Sequence, residues 1–243
     1  MNELTVNQQM IQLLKSIIDN KEFSANDETY PVTGSITKNE VDFFETIIQP
    51  DSKILDIGVG KGVSTVLFSI LSKEQVIGID PFQIIEHKQS CFRLSEKIGT
   101  KTPKIIIKKS IEAKSDLSGL TFDLIFVDGY HTFDSTIIDF LVTEDHLKVG
   151  GVIAFHDCYY LSKQKVLKYI LANQDYQLLN FKPTAERGVI KRLLRFGYHS
   201  LVKYRTPLWS SVKLLSPAFS DSSIVALKKI SNKKQAYSEF NDF

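Results

Sequence analysis

Carboxylates close three apolar runs in this chain: Asp56 in KILDIG, Asp80 in QVIGID and Asp128 in TFDLIFVDG. A fourth run, GGVIAFHD, closes on His156-Asp157, and His131 follows Asp128 in the string DGYH. Glycines at 58, 60 and 62 in DIGVGKGVS allow backbone to approach a ligand at the start of a helix. Asp80 can accept both hydroxyls of a ribose. A glycine turn followed about 20 residues later by an acid also describes a dinucleotide site. Here, however, the spacing is G-x-G-x-G and Asp56 precedes the turn. An acid there repels a pyrophosphate and suits an ammonium group. The ligand expected is therefore an amino-acid nucleoside such as S-adenosylmethionine, with an NAD-linked oxidoreductase as the alternative. A hydroxyl acceptor near neutral pH needs a base, and Asp128, His131 and His156 are the candidates.

These residues need elements that bring them together. From Lys53 onward, short apolar runs alternate with helical periods: helices over 62–72, 84–98, 132–147 and 162–172, and strands at KILDIG, QVIGID, KIIIKK, TFDLIFVDG and GGVIAFHD. YQLLNF and GVIKRLL read as two last strands. Runs rich in Ile, Leu, Val and Phe suit strands buried on both faces. The expectation is a doubly wound, mostly parallel seven-stranded α/β sheet of Rossmann-like type. Ahead of it, residues 3–19 read as an amphipathic helix, 24–36 as a loop holding Tyr30, and Thr37 with Glu40 as a capping box opening a helix to Ile48. Asp134 and Asp139 read as solvated helix-face residues, and Cys158 as packing.

DIGVGKGVST, VIGID, FDLIFVDGYHTFDSTIIDF and LKVGGVIAFHD, in this order, resemble the class I S-adenosylmethionine-dependent methyltransferases. More narrowly they resemble the bacterial small-molecule O-methyltransferases related to catechol and macrolide-sugar O-methyltransferases. The resemblance spans about residues 35–195 and implies roles by position. Asp56, Gly58 and Gly60 would surround the methionine moiety, with Gly62 in the same turn and Ser64 on the carboxylate. Asp80 would bind the ribose and Phe82 would flank the adenine. Ser110, Ile111 and Glu112 would lie near the adenine amino group, and Asp128 beside the transferred methyl. Metal-dependent members hold Mg²⁺ at the positions of Asp128, His156 and Asp157. Imidazole is a poor Mg²⁺ ligand, so several readings stay open. Asp128 and Asp157 hold the ion with His156 outside the shell or acting as base, the site takes a transition metal, or it uses no metal.

Length and charge set the remaining bounds. The 243 residues carry a net charge of +2. Residues 1–186 hold 19 Lys+Arg against 25 Asp+Glu, whereas 187–234 hold 11 against one acid. The division expected is an N-terminal helical cap (1–50), a cofactor-binding domain (51–195) and a basic extension (196–243). The extension suits packing, a homo-oligomer contact, or an anionic lipid or glycan. The acidic body opposes a nucleic-acid partner and favours a small-molecule acceptor. Two cysteines, Cys91 and Cys158, and no basic leader before an apolar stretch suit the cytoplasm. A non-catalytic nucleoside-binding assembly subunit is the non-enzymatic alternative.

Overall fold

The computed structural model describes residues 4–179, 223–233, 240, 241 and 243. Helix α1 (Val6–Asn20) opens on Thr5, whose hydroxyl accepts from the Gln8 amide, and it buries Ile11, Leu14 and Ile17. A two-stranded antiparallel hairpin follows, β1 (Glu22–Ala25) and β2 (Glu28–Pro31). The turn-forming composition of 24–36 suggested a loop. The turn is real, but Phe23 and Tyr30 oppose each other across it and stack with ring centroids 5.1 Å apart. Tyr30 is thus a buried packing residue. Helix α2 (Lys38–Ile47) starts where the Thr37–Glu40 pair placed it.

The main unit runs β3 (Ile54–Ile57), α3 (Val63–Leu71), β4 (Ile77–Ile79), α4 (Ser90–Ile98), β5 (Lys104–Ile106), β6 (Phe122–Val127), α5 (Phe133–Thr143), β7 (Leu147–Phe155), α6 (Leu161–Asn173), β8 (Tyr176–Leu178) and β9 (Val225–Lys229). Among the described residues the sheet has seven strands in the order β5-β4-β3-β6-β7-β9-β8. All neighbours up to β7 are parallel, and β9 runs antiparallel to both β7 and β8. Alternate strand residues feed two cores. Leu124 and Phe126 join Ile54, Ala154 and Ala226 under α1, α2 and α3, while Ile125 and Val127 join Leu55, Ile153 and Leu227 under α5 and α6. Both faces are therefore covered, as the unbroken apolar runs required.

Two expectations need correction. The strand paired with β7 and β8 is 225–229, so the sheet reaches well past residue 195 and takes in part of the segment assigned to an extension. GVIKRLL lies outside the described residues. The strand was hidden because SSIVALKKI sits in a basic, serine-rich stretch, yet its apolar residues are buried while the Lys229 ammonium reaches the Glu144 and Leu147 carbonyls. The helix expected over 84–98 begins only at Ser90. Residues 81–89 form turns, with Lys88 and Gln89 at positive φ. Among the described residues, no helix is long and apolar enough to cross a membrane.

Candidate active site

The sheet reverses its winding between β3 and β6, and ligands in such folds sit beyond the strand carboxyl ends at that point. The chain there has little freedom. The Gly58 amide bonds the Ile79 carbonyl at 2.9 Å, and the Asp128 amide bonds that of Ile57 at 2.8 Å. Gly58 has φ +91°, and a Cβ on it would lie 2.3 Å from the Asp128 carbonyl oxygen, so only glycine fits. Gly62, at φ +90°, caps α3 against Cys91 in the same way.

Asp56 is fully buried at the base of this turn. Its Oδ2 accepts from Ser64 Oγ at 2.8 Å and Thr65 Oγ1 at 2.6 Å, while Oδ1 has no partner among the described residues. Burial pushes its carboxyl up to about 7, with the negative charges of Asp128 and Asp80 adding to the effect and the two hydroxyls opposing it. A buried acceptor with a free lone pair fits a ligand that brings a positive donor. Ser64, expected on the ligand carboxylate, donates to Asp56 in the fold.

Asp80, at the end of β4, ties the glycine turn together. Oδ2 accepts from the Gly60 amide at 2.6 Å and Gln83 Nε2 at 3.2 Å, and Oδ1 from the Phe82 amide at 2.7 Å. A carboxylate offers about four lone-pair sites, so capacity for ribose hydroxyls remains. Phe82 and Ile111 are exposed beyond β4 and β5, as a flat adenine would need. Ser110 donates to Asp139, which corrects the solvated reading of Asp139. It is buried, lies against Gly129, and is pushed up to about 6 chiefly by that burial. Asp134 is exposed, as expected.

The fourth corner gathers Asp128, His131, His156 and Asp157. His131 Nε2 lies 3.3 Å from Asp157 Oδ2, and its ring stacks on Tyr160. Burial, helped by the nearby Lys163, pushes His131 below its usual range, so it is neutral near pH 7 and able to take a proton. Asp157 has φ +54°, an uncommon backbone state for any residue but glycine, and this turns its carboxylate toward His131. Asp128, His131 and Asp157 can each bring one ligand atom within 4.8 Å of the others.

His156 does not join that group. Its Nδ1 lies 3.0 Å from Asp128 Oδ1, and its Nε2 lies 3.3 Å from Oε1 of Glu40, a fully buried residue of α2. Burial opposes a charge on His156, but Asp128 and Glu40 outweigh it and raise the imidazole to about 10. Glu40 also accepts from Ser223 Oγ and, through Oε2, from the Thr37 amide at 2.6 Å. Lys163, 1% exposed, donates to the His156 carbonyl at 2.8 Å and lies 3.9 Å from Asp128 Oδ1. Sequence reasoning missed Glu40 and Lys163. Glu40 was visible only as a helix cap, and nothing in the sequence distinguished Lys163 from the other lysines of α6. Cys158 is buried packing, as expected.

The strand order, the reversed last strand and the glycine turn between acids define a Rossmann-like methyltransferase fold. Residues 55–158 match the family model of a methyltransferase domain. No curated protein matches the chain significantly. Among solved structures, an rRNA methylase from Streptococcus thermophilus aligns at TM-score 0.55 and 15% identity, over 80% of this chain and 96% of that one. A protein from Streptococcus mutans, provisionally assigned as a methyltransferase and bound to S-adenosylhomocysteine, aligns at 0.52 and 16%, over 79% and 96%. One from Staphylococcus aureus, provisionally assigned as a caffeoyl-CoA O-methyltransferase, aligns at 0.54 and 16%, over 71% and 88%. At these identities the likeness is one of fold.

Proposed function

We propose that this protein methylates a hydroxyl of a small polyol, sugar or phenolic metabolite, with S-adenosylmethionine as donor. The observation that carries the reading is the pairing of two environments across one glycine turn. On one side is the buried, half-unpaired Asp56. On the other is a neutral His131 steered by Asp157. The first suits the ammonium end of the cofactor, and the second suits a hydroxyl that must lose its proton.

When bound, the cofactor supplies an electrophilic methyl on a sulfonium. The chain's own residues orient and deprotonate. Gly58 and Gly60 let the backbone close on the ligand, Asp80 accepts from the ribose, and Ser110 and Ile111 border the adenine. Asp128 sits where β6 ends, between the cofactor turn and the acceptor side. His131 takes the acceptor proton at Nδ1, a buried nitrogen without a partner among the described residues, and Asp157 orients the ring through Nε2. Tyr130 and Tyr160, both exposed beside this corner, offer faces for an apolar or sugar ring. The acidic strand ends oppose a polyanionic acceptor, which favours a small neutral molecule over RNA.

Isothermal calorimetry with S-adenosylhomocysteine, followed by a methyl-transfer screen over catechols, sugars and polyols, tests the reading. Binding with turnover on a hydroxyl acceptor is expected. No binding of S-adenosylhomocysteine refutes it. Binding with turnover only on RNA refutes the acceptor class.

A further inference from the structure

We infer that the acceptor corner carries its own cations, the His156 imidazolium backed by the Lys163 ammonium, and therefore binds no divalent metal. The inference rests on the proposed function only for the meaning of the corner. Its observations are geometric.

The three positions that the resemblance assigned to a metal are Asp128, His156 and Asp157. A ligating imidazole must present a bare nitrogen lone pair to the ion. His156 has none to give. Nδ1 faces Asp128 Oδ1 at 3.0 Å and Nε2 faces Glu40 Oε1 at 3.3 Å, and a carboxylate accepts only, so both nitrogens carry protons. The ring is a cation fixed between two acids and almost wholly buried. Replacing His156 by His131 gives three ligand atoms close enough to share an ion. Asp128, however, is then asked to serve three cations at once, because Lys163 Nζ already stands 3.9 Å from the same oxygen that His156 binds.

Charge decides between the readings. Glu40, Asp128 and Asp157 bring three negative charges, and His156 and Lys163 bring two positive ones, all within one cluster of ion pairs 3.0–3.9 Å long. A site for Mg²⁺ or Mn²⁺ relies on uncompensated carboxylates, and here one net negative charge remains. A divalent ion beside Asp128 would face an imidazolium and an ammonium that it cannot displace, since neither reaches water. The same two cations fix the direction of Asp128, which a metal does elsewhere. Glu40 is thus a positioning residue. It keeps the second proton on His156 and acts on the corner only through that ring.

The test uses the full chain, stripped of metal with chelator and titrated with Mn²⁺ while electron paramagnetic resonance follows the free ion. No uptake is expected for the parent protein, with or without S-adenosylhomocysteine. His156→Asp exchanges the imidazolium for a third carboxylate, and about one Mn²⁺ per chain is expected to bind. Should that variant fail to fold, Lys163→Met removes the ammonium alone, and detectable Mn²⁺ uptake is expected there. Stoichiometric uptake by the parent protein overturns the inference, and so does a folded variant that still takes up none. S-adenosylhomocysteine binding, read by calorimetry on the same sample, fails independently if the proposed function is wrong.

Discussion

Replacing Asp56 by Asn tests the most costly feature of the site. In the fold its carboxyl titrates at about 7, against an ordinary 3.8. At about 1.36 kcal/mol for each pH unit, ionised Asp56 is less stable in the fold than in water by roughly 4 kcal/mol. The folded state binds the extra proton between those two values, so stability falls as pH rises from about 4 to 7, and the full cost is present above 7. Asn carries no charge and still offers Ser64 and Thr65 an acceptor, but its amide hydrogens meet the space around Oδ1, where no partner stands. An unsatisfied buried donor costs about 1–3 kcal/mol, leaving a net gain of roughly 1–3 kcal/mol at pH 8. Differential scanning calorimetry of the ligand-free protein from pH 5 to 8.5 reads this. We expect Asp56→Asn to melt higher than the parent at pH 8, and the advantage to vanish near pH 5. The raised His156 also makes stability fall, through pH 6.5 to 10, but it does so in both proteins and cancels in their difference. S-adenosylhomocysteine affinity is expected to drop in the same variant, because the vacant lone pair is gone. A pH-independent difference between the two melting curves, or a variant less stable at pH 8 than at pH 5 by as much as the parent, refutes the assignment of that cost to Asp56.

Gly58→Ala forces a Cβ onto the Asp128 carbonyl at φ +91°, so a loss of at least about 1–3 kcal/mol in chemical denaturation is expected, together with loss of cofactor binding. His131→Asn removes the proton acceptor while keeping a polar group near Asp157. A kcat about 10²–10⁴ lower is expected, with S-adenosylhomocysteine affinity unchanged by calorimetry. Glu40→Gln leaves a buried cation short of its partner, and urea unfolding is expected to show a loss of about 3–5 kcal/mol. Burial holds both cysteine thiols protonated, Cys158 up to about 12 and Cys91 higher. Neither is expected to react with Ellman's reagent until denaturant is added.

The glycine-turn side of the candidate site was legible because its geometry is local. A strand, a glycine turn and a helix are contiguous, so Asp56, Gly58 and Gly62 declare themselves by spacing alone, and Asp80 by its place at the end of the next apolar run. The acceptor side was only partly legible. Asp128, His131 and Asp157 end strands or follow them directly, and they do converge. What completes that corner comes from far away in sequence: Glu40 from α2, Lys163 from α6 and Ser223 from just before β9. A single sequence shows Glu40 satisfying the start of its own helix, and that signal hides the second oxygen, which reaches across to His156. The partners of His156, Asp128 and Glu40, likewise lie on other elements. Asp139 was misread because α5 carries it on the half-buried side, where Ser110 meets it, and helical period alone cannot see a partner on a neighbouring loop. The last strand failed on composition: two lysines end it, and one of them spends its charge on buried carbonyls.

The position of β9 has a consequence for how the chain acquires its structure. β7 ends in Val152–Phe155, whose outer edge is paired by 225–229 rather than by the next strand in sequence. During synthesis that edge stays open until some 70 further residues have been added, and an open apolar edge is a template for joining another chain. Truncation anywhere before residue 225 would leave β7 bare and β8 without its neighbour, giving aggregation in place of a smaller soluble domain.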